Sequence, residues 1–108
     1  MYAPGALWTA ARHRIPLLTI MHNNGGYHQE LMHLRLMANR HNRRVDRAVI
    51  GTTLHTPEID YAKMAQSMGV YAEGPISDPA NLAGAIRRAL AVVRQGAPAL
   101  LDVVSQPR

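Results

Sequence analysis

The run Asn23-Asn24-Gly25-Gly26-Tyr27 carries the residue types best suited to chemistry in this chain. Asn24 offers a neutral amide oxygen, and the paired glycines let the backbone turn so that a carbonyl faces a cation. Magnesium takes oxygen ligands in a near-octahedral shell that phosphate oxygens and water usually complete. An asparagine and a main-chain carbonyl make half of such a site and need a carboxylate and a diphosphate besides. The same residues also make an ordinary turn, so spacing alone leaves both readings open.

His22, His28 and His33 cluster around that turn, while His13, His41 and His55 lie elsewhere. Three histidines can bind zinc. However, His28 and His33 stand five apart, which does not align two side chains on a helix as four apart would. No His-Glu-x-x-His pattern occurs, and zinc is not expected. His28 follows the turn directly and is the histidine expected to face a substrate, since imidazole titrates near neutrality.

The elements that must hold this turn alternate in type. Ala6 to His13 has helical spacing with Leu7, Ala10 and Ala11 on one face. Ile15 to Met21 is a short apolar run that suits a strand buried on both faces, with Pro16 only at its start. Tyr27 to about Asn39 is helical, with Tyr27, Leu31, Leu34 and Ala38 in line. His41 to Glu58 is polar and basic and predicts a long loop, a length often functional in compact domains.

Asp60 caps a helix bearing Tyr61, Met64, Ala65 and Met68, which Gly69 stops. Val70 to Gly74 is a short strand. Asp78-Pro79 supplies an N-cap and a first-turn proline to a helix striped with Leu82, Ile86, Leu90 and Val93, which Gly96 ends. Ala99 to Val104 is the last strand. Strands alternating with amphipathic helices predict an α/β fold: an open, mostly parallel sheet with helices on both faces. Three strands are few for it, and the first helix lacks the strand that should precede it. The expectation is therefore one partial domain over residues 1–108 that begins inside a larger one.

The chain of 108 residues is 47% hydrophobic and 18% charged, which predicts a folded core. Its net charge of +5 raises nucleic acid as a partner. Against that, basic residues are spread along the chain, Phe is absent and only one Trp is available for stacking on bases. The one local cluster is Arg40, Arg43, Arg44 and Arg47, and nucleic acid ranks last among the partners considered. Cysteine is absent, which excludes disulfides and thiolate metal sites. No signal-peptide pattern and no apolar run near the ~20 residues of a membrane helix is present, so a cytoplasmic setting is expected.

Ile15 to Tyr27 resembles the closing half of the thiamine-diphosphate motif, which opens with Gly-Asp-Gly and ends about thirty residues later in Asn-Asn after an apolar strand. Ile59 to Gly69 resembles the family's Asp-Phe-Ala-Lys-Leu-Ala helix, and Gly96 to Val104 its closing Gly-Pro-x-Leu-Ile-Asp-Val strand. The likeness covers nearly the whole chain in the right order and is nearest the acetolactate-synthase-like and 2-oxo-acid-decarboxylase branch.

The resemblance implies thiamine diphosphate and Mg²⁺ as cofactors, with the Asn24 side chain and the Gly26 carbonyl as metal ligands. Asn23, Asn24, Gly25, Gly26 and Tyr27 would form the cofactor-binding turn. Glu30 falls where one branch carries a proton-transferring acid. The plainer alternative is a solvated glutamate in the first turn of a helix.

Implied too are decarboxylation or carboligation of a 2-oxo acid, a lyase or transferase class, and a homo-oligomer with its active site at a subunit interface. The Gly-Asp-Gly strand and the pyrimidine-binding domain of the family are not in this sequence, so the chain alone is expected to be inactive. The alternatives are a catalytically inactive module for assembly or regulation, and a small basic nucleic-acid binder.

Overall fold

A computed structural model describes residues 3–105. Their elements run α1 (Gly5–Arg12), β1 (Leu18–Asn23), α2 (His28–Arg40), α3 (Tyr61–Ser67), β2 (Tyr71–Ile76), α4 (Pro79–Arg94) and β3 (Ala99–Val104). The chain divides into two compact units, one formed by the residues up to Asn23 with Asp60–Ser105, the other by Asn24–Ile59.

In the first unit the three strands form an open parallel sheet in the order β1-β3-β2. This is the incomplete α/β fold expected. β3 is central and buried from Ala99 to Asp102, which is why it reads as an unbroken apolar run apart from one aspartate. Its side chains alternate between faces. Leu100 packs with Ala62 and Ala65 of α3, Val70 and Ala72, against Leu7 and Ala11 of α1 and Met21 of β1. Leu101 and Ala99 pack on the other face with Ala85 and Ala89 of α4, flanked by Ile86 and Val93. Helices therefore cover both faces.

Three details differ from the periodicity, one being that β2 runs from Tyr71 to Ile76 and not from Val70 to Gly74. β1 starts at Leu18 and not Ile15. The Ile15 N–H closes helix α1 on the Ala10 carbonyl at 2.9 Å, Pro16 has no N–H to give, and pairing begins where the Leu17 carbonyl accepts from Ala99 at 2.8 Å. In α4 the buried line is Ala85 and Ala89, while Leu82 and Leu90 are half-buried beside it. Alanines let the helix backbone lie close to the sheet, so the larger side chains fall on its flanks.

Asp78 caps α4 as expected, accepting from the Ala80 N–H at 2.9 Å with Pro79 in the first turn. Replacing Asp78 with Ala should lower stability by about 1 kcal/mol, read as a smaller urea midpoint with unchanged slope. Behind β2, the Arg88 guanidinium grips the Glu73 carboxylate with two prongs, at 2.9 and 2.6 Å, and the Tyr71 hydroxyl donates to the same carboxylate. Arg88 thereby holds the Glu73 carboxyl below its ordinary range. The pair is partly exposed and contributes little to stability.

The second unit holds α2 and the 41–59 segment, which is irregular as expected. α2 buries none of its residues: Leu34 is 45% exposed and Met32 54%. Its predicted apolar line exists but finds no helix or strand within its own unit to cover it. Among the described residues no helix is long and apolar enough to cross a membrane.

Candidate functional site

β1 ends at Asn23, so the Asn-Asn-Gly-Gly turn leaves the carboxyl end of a parallel strand, where ligands of open α/β sheets bind. The Asn23 carbonyl accepts from the Ser105 N–H at 2.8 Å, which pins the strand to its last residue. Beyond it, the Asn24 amide oxygen accepts from the Gly26 N–H at 3.3 Å and closes a tight turn on itself. Gly25 has a φ of 70°, a left-handed conformation that suits glycine, and a Cβ there would overlap the His55 ring.

The turn is held from the 52–55 segment. The Tyr27 N–H donates to the Thr52 carbonyl at 2.7 Å, and the Leu54 N–H donates to the Gly25 carbonyl at 2.9 Å. Gly26 faces Thr53 so closely that a Cβ would stand 2.7 Å from the Thr52 carbonyl oxygen. Thr52 is itself buried, with its hydroxyl against the Ala48 and Val49 carbonyls at 3.1 Å. A four-residue turn that would otherwise sample many conformations is thus held to one.

The donor chemistry of the turn fits magnesium. The Asn24 oxygen keeps a second lone pair. Among the described residues the Gly26 carbonyl accepts no hydrogen bond. Both are neutral oxygens, as a magnesium shell accepts. They remain half of a shell: no group of three or more His, Cys, Asp or Glu able to hold a metal occurs among the described residues.

His28 opens α2 directly after Tyr27, and its Nε2 is buried without a hydrogen-bond partner among the described residues. Glu30 is exposed in the first turn of α2, where the helix dipole favours a carboxylate. The other histidines are dispersed. His33 and His55 are exposed, and the His22 Nδ1 lies 3.3 Å from the Ser105 hydroxyl.

Three residues that spacing did not single out belong to this picture. Thr52 and His55 buttress the turn from a segment some 26 residues downstream. The length of the 41–58 loop was the only sign of them. The third, Asp102, was visible as an acid inside an apolar strand. It is 1% exposed, and burial pushes its carboxyl above the usual 3.8, with the nearby Asp60 carboxylate adding to the shift. The Asn23 side chain and the Tyr61 backbone N–H act in the opposite direction.

Because the folded protein holds the Asp102 proton more tightly than the unfolded chain does, its contribution is fully present below the unfolded value. It is lost as pH rises through the folded one. Asp102→Asn, which cannot ionise, should therefore gain stability over the parent at neutral pH, and the gain should shrink as pH falls toward 3.8. Urea midpoints across that pH range check the trend; a gap that widens in acid would refute it.

Fold and turn together define a class. The chain belongs to the thiamine pyrophosphate enzyme family: the sequence profile described as "Thiamine pyrophosphate enzyme, C-terminal TPP binding domain" matches residues 1–103. A curated relative in Mycobacterium tuberculosis, named "Putative acetolactate synthase large subunit IlvX", is 32% identical over 107 residues. That match covers 96% of this chain and 19% of the relative. No solved structure matches the chain. The family expected from the Asn-Asn turn and the two flanking resemblances is borne out.

Proposed function

We propose that this chain supplies the Asn-Asn half of a magnesium and diphosphate site in an acetolactate-synthase-like enzyme that decarboxylates or carboligates 2-oxo acids. The observation that carries the reading is the turn at Asn24–Tyr27: two neutral oxygens on a backbone-clamped turn at the end of a parallel strand, in a chain of this family. The Asn24 side chain and the Gly26 carbonyl hold the metal, and Asn23, Gly25 and Tyr27 shape the loop against the diphosphate. The remaining metal ligands, including a carboxylate, come from outside the described residues.

Thiamine diphosphate, when bound, supplies the electron sink for breaking or making a bond beside a carbonyl. The chain's part is to anchor and orient the diphosphate end, so that the reacting end is placed without further ordering. His28, with its buried ring nitrogen beside this turn, is the residue of the chain best placed to hold or move a proton, ahead of the solvated Glu30. A 2-oxo acid substrate accords with the acetolactate synthase name of the relative. We further place the active site at an interface between copies in the cytoplasm, and expect residues 1–108 alone to be inactive.

The decisive measurement is a calorimetric titration of the intact protein with thiamine diphosphate, with and without Mg²⁺. Binding that requires Mg²⁺ supports the reading. Heat that is identical in excess chelator refutes the metal-bridged diphosphate.

A further inference from the structure

The second unit carries a cavity that the proposed chemistry leaves unused. It measures about 390 Å³ and is lined by Leu34, Met37 and Ala38 of α2 and by His41, Arg43 and Arg44 of the segment that follows. A volume of this size falls within the range of small-molecule sites. The helix contributes only aliphatic side chains to it, and the segment contributes one imidazole and two guanidinium groups.

The end of α2 accounts for this meeting of apolar and basic groups. The Arg43 N–H donates to the Ala38 carbonyl at 2.8 Å, and the Asn42 N–H donates to the Asn39 carbonyl at 3.2 Å. Asn42 has a φ of 50°, the left-handed conformation with which a chain reverses as it leaves a helix. The reversal turns Arg43 back onto the last turns of α2. At that position an apolar side chain frequently packs against the helix, and here the chain places a guanidinium instead.

The positive charge there is largely uncompensated. Asp46 is the only acid between Glu30 and Glu58, and Arg44 already grips it at 3.0 and 3.1 Å. Among the described residues Arg40, Arg43 and Arg47 make no ion pair and no side-chain hydrogen bond. A guanidinium stays charged and matches a carboxylate with two parallel hydrogen bonds. Leu34, Met37 and Ala38 offer a ligand no hydrogen-bonding side chain, so a polar body is costly to bury against them. No Phe, Tyr or Trp lines the cavity to stack on a nucleotide base.

We propose that this cavity binds a free aliphatic carboxylate, with its acyl chain against Leu34, Met37 and Ala38 and its carboxylate held by Arg43. An anionic bilayer presents the same chemistry, but it is met by an apolar face that enters the lipid, whereas a cavity receives a single chain. The site does not involve the turn at Asn24–Tyr27 and does not depend on how that turn is read. Binding is accordingly independent of Mg²⁺ and thiamine diphosphate.

The test is calorimetric titration of the intact protein with decanoate below its micelle concentration, where saturable binding of one decanoate per chain is expected. Acetate, which lacks the chain, and decyltrimethylammonium, which reverses the charge, should bind at least about tenfold more weakly. Arg43→Ala and Leu34→Ser should each lower decanoate affinity about tenfold. Arg87→Ala, an exposed arginine of α4 removed as a charge control, should stay within about twofold of the parent. Arg43 and Leu34 are both exposed, so circular dichroism should show an unchanged fold, and if one variant does not fold the other decides. Parental affinity in Arg43→Ala or Leu34→Ser, equal binding of decyltrimethylammonium, or an equal loss in Arg87→Ala would overturn the proposal. Co-sedimentation with phosphatidylglycerol vesicles separates the two sources: a protein that binds vesicles and gives no decanoate heat also overturns it and makes this face a membrane surface.

Discussion

Asn24→Ala is expected to weaken Mg²⁺-dependent binding of thiamine diphosphate to the intact protein by about 100-fold or more, while leaving the fold in place. Removing a direct ligand should cost at least as much as losing the groups behind it. The fold should survive because, among the described residues, the Asn24 side chain makes one hydrogen bond, a long one of 3.3 Å from the Gly26 N–H. The turn is held chiefly by the backbone bonds of Gly25 and Tyr27 to the 52–54 segment. Titration calorimetry at fixed Mg²⁺ reads the loss, and thermal melting of the cofactor-free protein reads the fold. A variant that binds the cofactor as the parent does would remove Asn24 from the site. A variant whose melting temperature collapses would make it a structural residue.

The largest expected effect on stability lies elsewhere, at Gly74. This residue has a φ of 146°, outside what side-chain-bearing residues readily adopt, and it stands directly against Asp102 of the central strand. Any Cβ meets the backbone of that strand, 2.8 Å from its carbonyl oxygen and 3.2 Å from its Cα, so no rotamer relieves the clash. Gly74→Val combines a strained backbone with overpacking, each worth about 1–3 kcal/mol, and should cost about 3 kcal/mol or more. The urea midpoint of the purified variant checks this. A loss below 1 kcal/mol would mean that β2 shifts away from β3 with little penalty.

These two sites differ in how far a reader of the sequence could have seen them. Asn24 was visible because a turn of two asparagines and two glycines after an apolar run is a local pattern of residue types. The N-cap at Asp78 with its proline was visible for the same reason, as was β3, whose apolar run matches the observed strand from Ala99 to Val104. Gly74 carried no such mark. Its role comes from Asp102, which lies 28 positions away and meets it only because parallel strands pair across a long crossover.

The same distinction explains the elements that were read imperfectly. Leu82 and Leu90 have the spacing of a buried stripe, yet the sheet contacts Ala85 and Ala89, because close approach of a helix favours its smallest side chains. The apolar line of α2 has the right period, but burial requires a neighbour that its own unit does not contain. Period and propensity are properties of a segment, whereas burial is a property of what arrives against it.

The sequence by itself determined the alternation of strands and helices and the family, since each is written in adjacent residues. Only the tertiary structure decided that Thr52 and His55 would brace Gly25 and Gly26, and that Asp102 would be shut away beside Asn23 and Gly74. Those contacts join positions tens of residues apart. Chain order carries no record of them, and they come into being when the backbone hydrogen bonds and apolar faces close.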